Sequence, residues 1–263
     1  MKLRDPEYIR EYLKSGLRYD GRKFDELRKI EIKVGYVKNA EGSCLVRMGN
    51  TKVLAGVKLE VGEPFPDTPD EGYFVVNVEY APFSFEEAEP GPPGEDEIEI
   101  ARVVDKVIRE SGAIDLKKLC IEEGNRVWGI MIDIYVLNHD GNLIDTSTIA
   151  AVSALYNARF PKYDGERVIH EELTDQRIPI EKIPINITFA KIGGKILLDP
   201  IKLEEEVAES LFTVGVCDGK IHGIQKEGRF GMKMEEVKYC VRKAFEIYPK
   251  IRRLIEDEVL KGE

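Results

Sequence analysis

No apolar run in this chain approaches the ~18 residues that a membrane-spanning helix needs, so no segment reads as crossing a bilayer. The first residues, Met1-Lys2-Leu3-Arg4-Asp5, are charged and lack the apolar core of a secretory signal. Histidine is scarce: His139, His170 and His222 complete no metal-ligand spacing with Cys44, Cys120, Cys217 or Cys240. No two of those cysteines form a CxxC pair, so they read as reduced, mostly buried thiols of a cytoplasmic protein. No metal and no cofactor is expected. Excess positive charge is missing too: the net charge is -10 at pH 7. A free-standing nucleic-acid binder is usually basic. Any nucleic-acid contact here must run through a local patch, or through basic partners that supply the field.

What is present is a globular balance, 43% hydrophobic and 33% charged over 263 residues. That suits one large domain or two small ones with a real core. Lys and Glu dominate the charge, a usage seen in heat-adapted proteins.

Asp5-Pro6 reads as a helix start, with Ile9, Tyr12 and Leu13 on its apolar face and Gly16 as its stop. Arg18 to Arg22 is a turn. Strands follow at 31–34, 43–48 and 52–61, the last two flanking Gly49-Asn50 as a hairpin. Residues 62–72 form a surface loop, 73–80 a strand and 82–94 a second loop. A helix spans 95–111 and stops at Gly112. The apolar run 127–137 reads as a strand buried on both faces. Asp140-Gly141-Asn142 turns the chain into an Ala-rich helix over 146–158. After a polar linker at 163–181 the pattern repeats: strands at 185–192 and 195–198, then 212–217 and 220–225 around Asp218-Gly219. A last helix over 234–248 is expected to break at Pro249, with a set of turns to Leu260. Each half is strands then helices, an α+β pattern, with the halves placed at 1–182 and 183–263.

Three stretches carry a resemblance. Tyr19-Asp-Gly-Arg-Lys-Phe-Asp-Glu-Leu-Arg28 is one. Gly42-Ser-Cys-Leu-Val-Arg-Met-Gly-Asn-Thr-Lys-Val-Leu-Ala-Gly56 is another. The third is the acidic segment from Leu197 to Val214. In this order they resemble the RNase PH family of phosphorolytic exoribonucleases over nearly the whole chain. The leading helix is similar to the family's non-catalytic branch in the archaeal exosome. The resemblance implies an RNase PH-like fold and three departures from an active site. Where active members carry two aspartates six residues apart, this chain has Glu205 and Leu211, and leucine can neither donate nor accept a proton. Where active members hold phosphate in a Gly-Thr-Arg-Thr-like loop, it has Asn142-Leu143-Ile144-Asp145, whose acid repels an anion. The plain structural alternative there is that Thr146, Ser147 and Thr148 cap the next helix. Where active members grip RNA with an arginine pair, it has Glu95-Asp96, which suits a first helical turn.

The 95–111 helix also carries an apolar stripe of Ile100, Val103, Val104, Val107 and Ile108, with Arg102, Lys106 and Arg109 opposite. These three are either a solvated face salted by Glu99, Asp105 and Glu110 or, as the resemblance implies, an RNA-phosphate contact lent to a neighbouring active site. The run Glu204-Glu205-Glu206 could serve a metal, but adjacent carboxylates on one short segment converge poorly.

The resemblance therefore implies a catalytically inert ring subunit. Its partners would be a catalytic paralogue in a trimer of dimers, RNA-binding cap proteins, and RNA. The alternatives are a self-sufficient RNA-trimming enzyme using Glu205 as acid, and a scaffold that touches no RNA.

Overall fold

The computed structural model describes residues 6–86, 88 and 91–261; the Asp5 cap expected above lies outside them. Helix α1 (Pro6–Lys14) buries Ile9 and Leu13, and Gly16 follows with φ +82. Strands β1 (Ile30–Val34), β2 (Gly42–Met48), β3 (Thr51–Gly62), β4 (Tyr73–Tyr80), β5 (Cys120–Glu122) and β6 (Arg126–Asn138) form a six-stranded sheet. Its order is β1-β2-β3-β6-β4, with β5 paired to β6, and β4 runs parallel to β6. A second sheet contains β9 (Ile185–Ile192), β10 (Lys195–Leu198), β11 (Ser210–Cys217) and β12 (Lys220–Glu227) in the order β10-β9-β11-β12.

Between the sheets lie α2 (Glu95–Ser111), α3 (Leu143–Asn157) and α5 (Met234–Lys261). Helix α3 packs on β2 and β3 from one side and on β9 from the other. A helix enclosed on all sides has no polar face to give to water. Accordingly every residue from Asp145 to Leu155 is buried, and small side chains at Ala150, Ala151, Ser153 and Ala154 let the layers approach. One continuous apolar core joins Val46 and Ile132 of the first sheet to Ile187 and Val214 of the second.

Four expectations change. Strand β6 is buried on both faces only at its start, Val127 to Ile130; beyond that Ile132 and Ile134 point inward, whereas Tyr135 on the opposite face is exposed. The apolar run misled because Met131 and Tyr135 are apolar on the solvent side. Helix α3 starts a turn early, at Leu143, so Thr146, Ser147 and Thr148 lie inside it and do not cap it. The Thr146 and Thr148 hydroxyls donate back to the carbonyls of Asn142 and Ile144, at 2.8 and 2.7 Å. The expected linker at 163–181 holds strand β8 (Val168–Arg177), which pairs as a hairpin with β7 (Arg159–Tyr163) just before it. Largely solvated, it needs no apolar alternation. Pro249 sits inside α5. One lost N–H bond is outweighed by the buried stripe of Ile247, Tyr248, Ile251, Ile255 and Val259, which continues past it.

Arg18 ties the segment after α1 to the start of the acidic segment. Its side chain and that of Glu204 are both 0% exposed and meet at 2.6 Å, in α4 (Lys202–Glu206). Its remaining N–H groups donate to the carbonyls of Leu198 and Asp199. Removing one partner strands a buried charge, so Arg18→Met should lower stability by about 3–5 kcal/mol. Arg18→Met with Glu204→Leu should lose much less. Denaturant unfolding of the three proteins checks this, and equal losses would mean that the pairing is not what holds the segment.

Candidate functional site

Asp199 organises the site. Its backbone is left-handed (φ 53) and its carboxylate is fully buried. It accepts from the Arg28 guanidinium at 2.7 Å, the Arg22 guanidinium at 2.9 Å, the Arg28 N–H at 2.8 Å and the Asn142 amide at 2.8 Å. Burial alone would raise this carboxyl. Arg28 and Arg22 reverse that and hold it below the usual carboxylate range. Arg28 continues to the carbonyls of Asp140 and Gly141, fixing the turn that precedes α3. Gly141 (φ +82) is required there, because a Cβ would collide with the backbone of Pro200 to Lys202. The start of the acidic segment and the turn after β6 are thus clamped together.

Asn142 follows, also left-handed (φ 55). Its amide nitrogen donates to Asp145 at 2.9 Å as well as to Asp199. Its backbone N–H donates to Glu205 Oε1 at 2.7 Å. Asp145 does not face the site: it lies in the interior and accepts from the Thr188 N–H and hydroxyl. Burial pushes its carboxyl up to about 7 against those hydrogen bonds.

Above this turn opens a cleft of about 180 Å³. Asn142, Leu143, Ile144, Glu205 and Leu211 line it, so residues singled out in separate stretches of the sequence meet here. Asp96, Glu99, Glu227, Tyr80, His139, Ile100 and Thr188 complete the lining, with no Lys or Arg among them. Burial pushes Glu205 up to about 8, helped by Glu227 and opposed by the Asn142 N–H and Arg28. Burial, Glu99 and Asp96 push Glu227 up to about 7. Glu205 takes the free N–H at the head of α3, the position an anion would otherwise occupy. Leu211, on β11, packs against the small core around Ile9 and Leu13.

The acidic run does not converge. Glu204 binds Arg18, Glu205 faces the cleft and Glu206 is exposed. Among the described residues no group of three His, Cys, Asp or Glu could hold a metal ion. The cysteines are free, and no helix among the described residues is long and apolar enough to cross a membrane.

Helix α2 presents its basic residues to a second, wider groove against β4. Arg102 and Lys106 are exposed. Arg109 is engaged by the fold: it pairs with Asp105 at 2.7 Å and lies 4.1 Å from the centre of the Phe74 ring. At the helix start Glu97 accepts the Gly94 N–H at 3.0 Å, and Glu95 and Asp96 join it in the first turn. Sequence reasoning missed Arg28, Asp199 and Glu227 as site residues. The first two sit inside stretches that carry the family resemblance. Glu227, on an edge strand far along the chain, carried no local signal.

The cleft has a pH signature. Folding raises Glu205 from 4.5 to about 8, so between those values the folded protein keeps a proton that the unfolded chain has lost. The stability this contributes is present below the unfolded value and is lost as pH rises towards the folded one. Glu205→Gln keeps an acceptor for Asn142. It should raise the melting temperature at pH 8 and leave it near wild type at pH 4.5. Equal shifts at both would show that the carboxyl is not raised.

Models of the 3′ exoribonuclease family, domains 1 and 2, match residues 26–161 and 182–247. The chain is 46% identical over 262 residues to the exosome complex component Rrp42 of Pyrococcus furiosus, covering 97% of this chain and 94% of that one. It is 48% identical over 236 residues to the component of the same name from Sulfurisphaera tokodaii, covering 88% and 86%. Among solved structures it is similar to a chain of the Archaeoglobus fulgidus exosome with RNA bound to the active site. That match has a TM-score of 0.87 at 40% identity and covers 94% of this chain and 96% of that chain. A chain of an archaeal exosome core matches with a TM-score of 0.84 at 37% identity, covering 95% and 96%. With both domain models matched in order and relatives of this identity along nearly its full length, the chain belongs to the 3′ exoribonuclease family and has the RNase PH-like fold.

Proposed function

We propose that this chain is a non-catalytic ring subunit of an archaeal exosome, a phosphorolytic 3′-to-5′ exoribonuclease complex of the cytoplasm. Its relatives are named as exosome components. The observation that carries the inert assignment is the cleft. Phosphorolysis needs a bound phosphate beside an acid–base group and the RNA end. Here Leu211 stands where the resemblance expects an aspartate, and the lining offers Asp96, Glu99, Glu205 and Glu227 with no Lys or Arg. Asp96 and Glu99 carry charge of the same sign as phosphate, Glu205 and Glu227 add further carboxyls, and no cation in the lining offsets them. A catalytic paralogue would supply the acid–base group and phosphate loop, in a trimer of dimers capped by RNA-binding proteins. The two halves, 1–182 and 183–263, would be related units.

Two features support the contribution of this chain. Edge strand β4 carries exposed Val75, and Ile98 beside it is exposed on α2. Unpaired edges with apolar side chains suit a permanent interface. Arg102 and Lys106, one helical turn apart, are exposed cations in a groove that Glu95, Glu97, Glu99 and Asp105 also line. They would hold RNA phosphates for the neighbouring active site, with Arg109 supporting the helix that presents them.

Purified alone, the chain should release no nucleoside diphosphate from RNA and phosphate. Leu211→Asp with Glu205→Asp should stay inactive, because positioning and charge stabilisation of phosphate remain missing. Activity of the natural chain, free of partner, would establish the self-sufficient enzyme instead; activity of the double variant alone would show that the phosphate loop is not what is missing.

In the assembled ring, Arg102→Glu with Lys106→Glu should weaken RNA binding similarly for different sequences. The salt-dependence slope should fall by roughly 0.7 for each phosphate no longer held. Unchanged affinity and slope in an intact ring would make the chain a scaffold that does not touch RNA.

A further inference from the structure

We infer that the outer face of the first sheet is a second binding surface for single-stranded RNA, on the side of the sheet away from α2 with its Arg102 and Lys106. That the strand is RNA rests on the function proposed above; the surface itself follows from its own residues.

The strand pairings lay two rows of side chains across this face. In one, Arg47 of β2 stands directly opposite Lys52 of β3, and Lys52 opposite Asn138 of β6. In the next, Lys33 of β1, Leu45, Leu54 and Tyr135 follow one another across four strands. Alternation turns these side chains outward, because Ile32, Val46, Val53 and Ile134 beside them are buried in the core. A cationic row thus lies next to an apolar floor. Two adjoining hollows run along the same line and share Arg47 and Lys52.

The positive charge here is uncompensated. Like charges directly opposite each other on neighbouring strands are destabilising. Yet among the described residues Lys33, Arg47 and Lys52 make no ion pair with a carboxylate of this chain. Glu31 lies opposite Arg47, but its carboxylate is taken by Lys29 at 2.7 Å. Asp140, in the wall of the second hollow, faces Arg28. A chain of net charge -10 has acids in excess. A like-charge pair left without one is explained by an anion from outside.

Aromatic rings select the kind of anion. Phe83 in the wall of one hollow is 76% exposed, and Tyr36 in the wall of the other is 55% exposed. Tyr135 adds a third accessible ring at the end of the apolar row. Cations that track a phosphate backbone, flanked by rings on which bases stack, are the two parts of a single-strand platform. An acidic peptide would use the cations and leave the rings bare. A duplex would keep its base faces to itself. Stacking accepts every base, so binding here is indifferent to sequence.

Fluorescence anisotropy of the full-length chain tests this, with a labelled oligouridylate of about 12 nucleotides, within the usual site size of such platforms. Arg47→Gln with Lys52→Gln should weaken binding about fivefold or more and lower the salt-dependence slope by roughly 0.7 for each phosphate no longer held. Its melting temperature should match or exceed that of the natural chain, because a like-charge pair is removed. Arg47 also donates to the Gly49 carbonyl at 2.8 Å, so Lys52→Gln alone replaces the double variant if that fails to fold. Phe83→Ala should weaken binding about fivefold and leave the salt slope unchanged, since stacking releases no counterions. In the assembled ring, losses from Arg47→Gln with Lys52→Gln and from Arg102→Glu with Lys106→Glu should multiply, as separate contacts do. Four results overturn the inference. The folded Arg47 and Lys52 variant binds as tightly as the natural chain. The Arg102 and Lys106 variant alone removes all binding, which leaves the earlier reading standing by itself. Polyglutamate of matched length competes as well as RNA, which makes the occupant an acidic protein. Or the loss appears in the isolated chain and not in the ring, which makes the face a subunit contact.

Discussion

The Asp199 carboxylate is the constraint on which the site depends. A single buried anion receives two guanidiniums, a backbone N–H and the Asn142 amide. Each donor comes from a segment with its own reason to be elsewhere: the turn after α1, the entry to β1 and the head of α3. An unpaired charge at that depth would be intolerable, so the carboxylate and its donors are ordered together or not at all. The left-handed backbone at both Asp199 and Asn142 is the local cost of bringing them into register.

That arrangement also decides what the cleft can accept. In a site built for phosphate, the head of α3 would offer free N–H groups and neighbouring cations. Here the Asn142 N–H is already taken by Glu205, and the guanidinium of Arg28 is turned inward to Asp199. On the function proposed above, the scaffold of a phosphorolytic centre would be kept with the charge at its mouth inverted. Two positions accomplish most of this. Glu205 accepts the Asn142 N–H from within, and Leu211 joins the core around α1.

Much of this was legible in the sequence because periodicity and turn chemistry are local. The bounds of β4, α2, β9 and β10 follow from alternation, an acidic first turn and glycine stops. The bringing together of Asn142, Glu205 and Leu211 was legible only through the resemblance, since no spacing rule links them. Three things were hidden for physical reasons. Strand β8 of the β7–β8 hairpin is solvated along most of its length and leaves no alternation to find. Pro249 breaks a helix by propensity, yet tertiary burial on either side overrules it. Glu227 enters the cleft from an edge strand through the stacking of the second sheet on α2, an approach with no signature in the residues around it.

Helix α3 has a further consequence, for the order in which the chain is made. It is apolar nearly all round and rests on β2 and β3 from one side and on β9 from the other. During synthesis the first sheet and this helix emerge well before residues 185–192. Until then one side of α3 has nothing to lie against. Nascent chains at that stage expose the kind of surface that chaperones recognise and that aggregates. The later sheet is therefore less an appended unit than the lid that lets the earlier part finish folding.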